Sequence, residues 1–133
     1  MQLVSTTLTS SQILNLRTTP VEVVPAQGSG LYIAPMFILL RMHAGSNAYG
    51  NLTATLGFLI NNINILPAQL PGGTLGTSYD SCAYYSISNY SSNTLNVSNL
   101  DNQAVYIKNT GLLDFTGGNG TLEVLTTFET YTV

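Results

Sequence analysis

The closing segment reads Thr121-Leu122-Glu123-Val124-Leu125-Thr126-Thr127-Phe128-Glu129-Thr130-Tyr131-Thr132-Val133. Leu122, Val124, Leu125, Phe128, Tyr131 and Val133 follow one another with no Gly or Pro between them, which predicts a strand running to Val133. A second segment of this kind is Leu31-Tyr32-Ile33-Ala34-Pro35-Met36-Phe37-Ile38-Leu39-Leu40-Arg41-Met42, the most apolar part of the chain. It reads as a strand covered on both faces. Pro35 cannot donate to a ladder, so a bulge or an edge is expected there.

Around these two segments lie shorter ones of the same character. Leu3 to Leu8 is rich in β-branched residues and reads as a first strand or an arm. Val21 to Val24, Leu52 to Ile60 (with Leu52, Ala54 and Leu56 on one face), Ile63 to Leu66, Leu95 to Leu100 and Ala104 to Lys108 complete the strand set. Thr9-Ser10-Ser11-Gln12 has the spacing of a capping box and predicts one short helical turn through Leu16, ended by Thr18-Thr19-Pro20. Pro25 to Gly30, Ala44 to Asn51 and Asn61-Asn62 read as breaks. Pro67 to Gly76 reads as a surface loop, and Thr116 to Gly120 as a tight hairpin turn. About eight strands, turn signals between them and a single helical turn predict an all-β antiparallel sandwich, jelly-roll-like in the leading reading. The chain is expected to be one domain, 1–133, with 1–19 forming either an N-terminal arm with the helical turn or the start of the sheet.

Composition narrows the function. Charged residues are 7% of the 133-residue chain against about a quarter ordinarily, while the apolar share, 44%, is unremarkable in size. Asn, Ser and Thr fill the difference and together make nearly a third of the chain. With Arg17, Arg41 and Lys108 as its only basic residues, the chain cannot neutralise a row of phosphates, so no nucleic-acid partner is expected. No basic amphipathic stretch suits an anionic membrane, and the longest apolar run, Leu31 to Leu40, is far short of a bilayer span. MQLVSTTLTSSQ carries neither the charged nor the apolar region of a signal peptide, and one cysteine, Cys82, forms no internal disulfide. A cytosolic origin is expected, with a virus particle as a further destination.

Catalytic chemistry is sparse. His43 is the only histidine, and Cys82 is the one thiol it could activate. Glu22, Asp80, Asp101, Asp114, Glu123 and Glu129 form no cluster along the sequence, and neither a calcium loop nor a phosphate-binding loop is present. No enzyme activity, cofactor or metal is expected. The sequons at Asn51, Asn89, Asn96 and Asn119 are what a chain so rich in Asn, Ser and Thr produces by chance. Tyr79 to Ser92 stands apart: it holds Tyr79, Tyr84, Tyr85 and Tyr90 among Ser and Asn, the composition of recognition loops. These four tyrosines, with Phe128 and Tyr131 of the closing strand, are the candidate interaction surface. Packing of Tyr84, Tyr85 and Ile87 against the core is the competing expectation.

Leu8 to Leu16, Thr18-Thr19-Pro20-Val21-Glu22-Val23-Val24-Pro25-Ala26, Gly28-Ser29-Gly30 before an apolar strand, and Thr116-Gly117-Gly118-Asn119-Gly120-Thr121-Leu122 before a closing one together resemble small virion proteins of tailed bacteriophages. The resemblance covers both ends of the chain. It implies a capsid decoration (cement) protein on the outer surface of the head, bound to the major capsid protein and assembled in the host cytoplasm. Its alternative is a receptor- or glycan-binding domain of a head fibre or tail. Few charges and a positive mean hydropathy favour covering part of the surface with neighbours. The closing strand, read as an edge guarded only by Glu123 and Glu129, predicts a homo-oligomer, and the resemblance tilts that towards a trimer.

Overall fold

Thr9 caps the helix α1 (Ser10–Leu14) as its spacing predicts. The Gln12 N–H donates to Thr9 Oγ1 at 3.3 Å, and the Thr9 N–H donates to Gln12 Oε1 at 2.9 Å. The computed structural model describes residues 1–65, 70–86 and 95–133, with the side chains of 70–72 excepted. Within them lie nine strands: β1 (Gln2–Leu8), β2 (Val21–Val24), β3 (Leu31–His43), β4 (Thr55–Ile60), β5 (Ile63–Asn64), β6 (Leu70–Pro71), β7 (Ser81–Ser86), β8 (Val105–Asn109) and β9 (Thr121–Thr132).

The strands form two antiparallel sheets, ordered β1-β9-β3-β7 and β2-β8-β4-β5. β6 pairs with β4 along the edge that β5 uses further on, so the two short strands fill one strand's place. The pairs β1·β9, β2·β8, β3·β7 and β4·β5 join the chain to itself from its ends inward. This is a long antiparallel ribbon rolled into two layers, the jelly roll. The predicted all-β sandwich is the observed fold.

The core lies between the layers. Leu8, Ile38, Leu40, Met42, Leu122 and Val124 come from one sheet, and Val24, Leu56, Phe58, Val105 and Ile107 from the other. Ile13 and Leu16 close one side, and Phe115 and Leu75 add to the cluster. At Pro35 the β3·β9 register slips between Pro35 and Phe37, the bulge its missing N–H predicts. Asn61 (φ 47°) and Asn62 (φ 62°) are both left-handed and join Ile60 to Ile63 as a two-residue hairpin turn.

Several expectations give way. Leu31 to Met42 is covered on one face only: Ile33, Ile38, Leu40 and Met42 are buried, while Phe37 and Leu39 are half-exposed. β4 begins at Thr55 instead of Leu52, which is 38% exposed. Val97–Asn99 is a single 3-10 turn begun by the Asn96 side chain, not a strand. Pro67 to Gly76 is not wholly a surface loop, because Leu70–Pro71 pairs with β4 and Leu75 is buried; residues 66–69 lie outside the described residues. Thr116 to Gly120 is no hairpin, since β8 and β9 belong to different sheets. Gly117 (φ 74°) supplies a left-handed residue, as a tight turn requires, while Gly118 and Gly120 serve close packing. A Cβ on Gly118 would enter the Tyr49 ring, and the Tyr49 hydroxyl donates to Gly120 O at 2.6 Å.

The largest correction concerns β9. It lies inside its sheet, paired with β1 on one side and β3 on the other, so it is no exposed edge. Among the described residues the edge strands of that sheet are β1 and β7. A seam in which the edge of Leu122 to Val133 pairs with a second copy is therefore ruled out, and Phe128, 3% exposed, belongs to the core and not to an interaction surface.

Candidate interaction face

Alternation along four paired strands puts every second residue of the β1-β9-β3-β7 sheet on its outer face. Register then sets these residues in rows. Leu3, Thr127, Phe37 and Ser86 form one row. Ser5, Leu125, Leu39 and Tyr84 form the next, and Thr7, Glu123, Arg41 and Cys82 the third. The first two rows contain no charge. Leu3 is 64% and Tyr84 65% exposed, with half-buried Leu125, Leu39 and Phe37 between them. The Phe37 and Tyr84 rings are tilted together, with centroids 6.2 Å apart. Further along the same face Tyr32 and Tyr131 stack at 5.7 Å. The Tyr131 hydroxyl donates to Glu129 Oε2 at 3.0 Å, which pushes the phenol above its ordinary value.

The third row carries the charge. Glu123 accepts from Ser5 Oγ at 3.0 Å on one oxygen, and on the other meets His43 Nε2 at 3.3 Å and Arg41 Nη1 at 3.4 Å. The Ser5 hydrogen bond above all, then that of His43 and the Arg41 charge, hold the Glu123 carboxyl below its ordinary value. The other His43 nitrogen is 3.8 Å from Asp80 Oδ2, and Asp80 Oδ1 accepts from the Ala44 N–H at 2.9 Å. This network gathers the charged side chains at one end of the face.

The candidate residues divide accordingly. Tyr84 and Tyr131 lie on this face, and Tyr79 is 67% exposed in the segment before β7. Tyr85 points the other way, half-buried against the core, and burial raises its phenol. Tyr90 lies outside the described residues. Cys82 and His43 do not form a pair: the thiol donates to the Tyr84 hydroxyl at 3.4 Å, whereas both His43 nitrogens face carboxylates. Among the described residues no group of three His, Cys, Asp or Glu side chains could hold a metal ion. No helix among them is long and apolar enough to cross a membrane.

Leu3, Phe37, Leu39 and Leu125 were missed as surface residues by reading composition alone. Period-two alternation along β1, β9 and β3, counted in β3 from the bulge at Pro35, is the signal that places them. No family model and no curated protein matches this chain.

Proposed function

We propose that the protein is a structural virion component that lays the outer face of its β1-β9-β3-β7 sheet on the outside of a phage capsid, against the major capsid protein, and reinforces the shell. The observation that carries this reading is the uncharged, partly apolar band of Leu3, Leu125, Leu39, Phe37 and Tyr84, which crosses all four strands. A band of this kind, rimmed by polar side chains, suits a protein partner. A capsid offers the same site many times over, so modest single contacts suffice where neighbouring copies also touch. Self-association, with a trimer favoured by the resemblance, belongs to the same proposal, now through this face or the β7 edge.

Purified protein mixed with undecorated capsids should occupy defined lattice sites by cryo-electron microscopy, with this sheet facing the shell. Leu39→Lys together with Leu125→Lys should abolish that binding and leave the monomer folded. Absence of the protein from purified virions would overturn the reading.

A further inference from the structure

On the opposite side of the sandwich, we propose a binding site for a neutral oligosaccharide, in a groove across the outer face of the β2-β8-β4-β5 sheet. Tyr106 of β8 stands in register between Glu22 of β2 and Leu59 of β4 and is 38% exposed. Its ring, Leu59 and Pro20 form the apolar part of a depression of about 240 Å³, and the rest of the lining is amide: Asn61, Asn62 and Gln103. Across Pro20 the surface dips again, between Ser11, Gln12, Asn15, Thr19, Val21 and Glu22. The two depressions share Pro20 in their linings and so lie side by side.

The chemistry is specific to polyhydroxylated ligands. An exposed tyrosine ring offers a flat surface for the C–H face of a pyranose, and side-chain amides offer both donors and acceptors to hydroxyl groups. Two of the amides are already held in place. Asn61 Nδ2 donates to Asn99 O at 2.9 Å and Gln103 Nε2 donates to Asp101 O at 3.1 Å, which leaves their oxygens as positioned acceptors. Asn61 and Asn62 are fixed further by the left-handed turn they form. Such pre-ordering lowers the entropy lost on binding. Neither depression is lined by Arg or Lys, and Glu22 is the one charged residue bordering the groove. A phosphorylated or sialylated ligand would meet that carboxylate with no cation in the lining of either depression, Lys108 standing two residues beyond Tyr106 on β8, so the ligand is neutral. The site does not depend on the virion reading, which concerns the other sheet.

The test is a two-dimensional NMR titration of the labelled full chain with cellobiose, maltotriose, lactose and N,N′-diacetylchitobiose, and with sialyllactose as the anionic counterpart of lactose. At least one neutral saccharide should shift the signals of Asn61, Asn62, Gln103 and Tyr106 and saturate in the millimolar range. Tyr106→Ala should weaken that binding about tenfold or more while Tyr106→Phe keeps it, because the ring and not the hydroxyl makes the contact. Gln103→Ala, remote from the core, should weaken it as well and serves if Tyr106→Ala unfolds. No shifts with any of the four neutral saccharides, shifts confined to another surface, full affinity in both alanine variants, or tighter binding of sialyllactose than of lactose would overturn the proposal.

Discussion

Thr126 is fully buried on the inner face of β9, and among the described residues its hydroxyl has no hydrogen-bond partner. A buried unpartnered hydroxyl is destabilising, and valine keeps both the shape and the strand preference. Thr126→Val should therefore stabilise the protein by about 1 kcal/mol, seen as a higher urea midpoint at unchanged slope. Asn109, 1% exposed, is the opposite case. Its side-chain amide donates to Leu113 O and its carbonyl accepts from the Gly111 N–H, both at 2.9 Å, so it ties down the loop after β8. Asn109→Ala should cost about 1–2 kcal/mol, because it removes both hydrogen bonds to the main chain of that loop. Glu123 sets a pH dependence. Its carboxyl is held below its ordinary value in the folded state, so the stability it contributes is complete above the unfolded-state value and is lost as pH falls through the folded one. Glu123→Gln should flatten the fall in urea midpoint on acidification through the carboxylate range.

The β4–β5 turn and β9 show how single elements depend on their setting. Asn61-Asn62 read as a break in the sequence; the left-handed backbone at both positions shows it to be a tight turn, one that an ordinary side chain enters at a cost of about 1–2 kcal/mol. Asn62→Ala should lower stability by about that amount in chemical denaturation. β9 read as a strand from its residues alone, and it is one. Whether it stood at an edge was not legible, because a strand's place in a sheet depends on which distant segments pair with it. Deleting 128–133 should accordingly unfold the protein by removing a core residue and part of a central ladder, as loss of the near-ultraviolet signal would report.

At the level of the whole chain, the jelly roll joins the first strand to the last: Gln2 pairs with Phe128 and Leu8 with Leu122. Contacts between the ends form only after most of the chain is organised, so refolding is expected in the millisecond-to-second range, not in microseconds. Stopped-flow refolding from urea would measure it, and a microsecond phase accounting for the full amplitude would contradict the topology.

The amino-acid sequence by itself determined the all-β class, the capped helical turn at Thr9, an irregularity (bulge or edge) at Pro35 and the break at Asn61-Asn62. Each rests on local chemistry: a missing N–H, a side chain within reach of a neighbouring amide, a backbone that must bend. Only the tertiary structure decided that β9 is central, that Phe128 and Tyr85 turn inward, and that Gly118 and Gly120 pack against Tyr49 instead of forming a hairpin. It also brought Tyr106 of β8 beside the Asn61-Asn62 turn, and Leu39 of β3 beside Leu125 of β9. Those placements are set by register between segments far apart in sequence, where each strand's own residues specify an alternation but not the partner against which it is read.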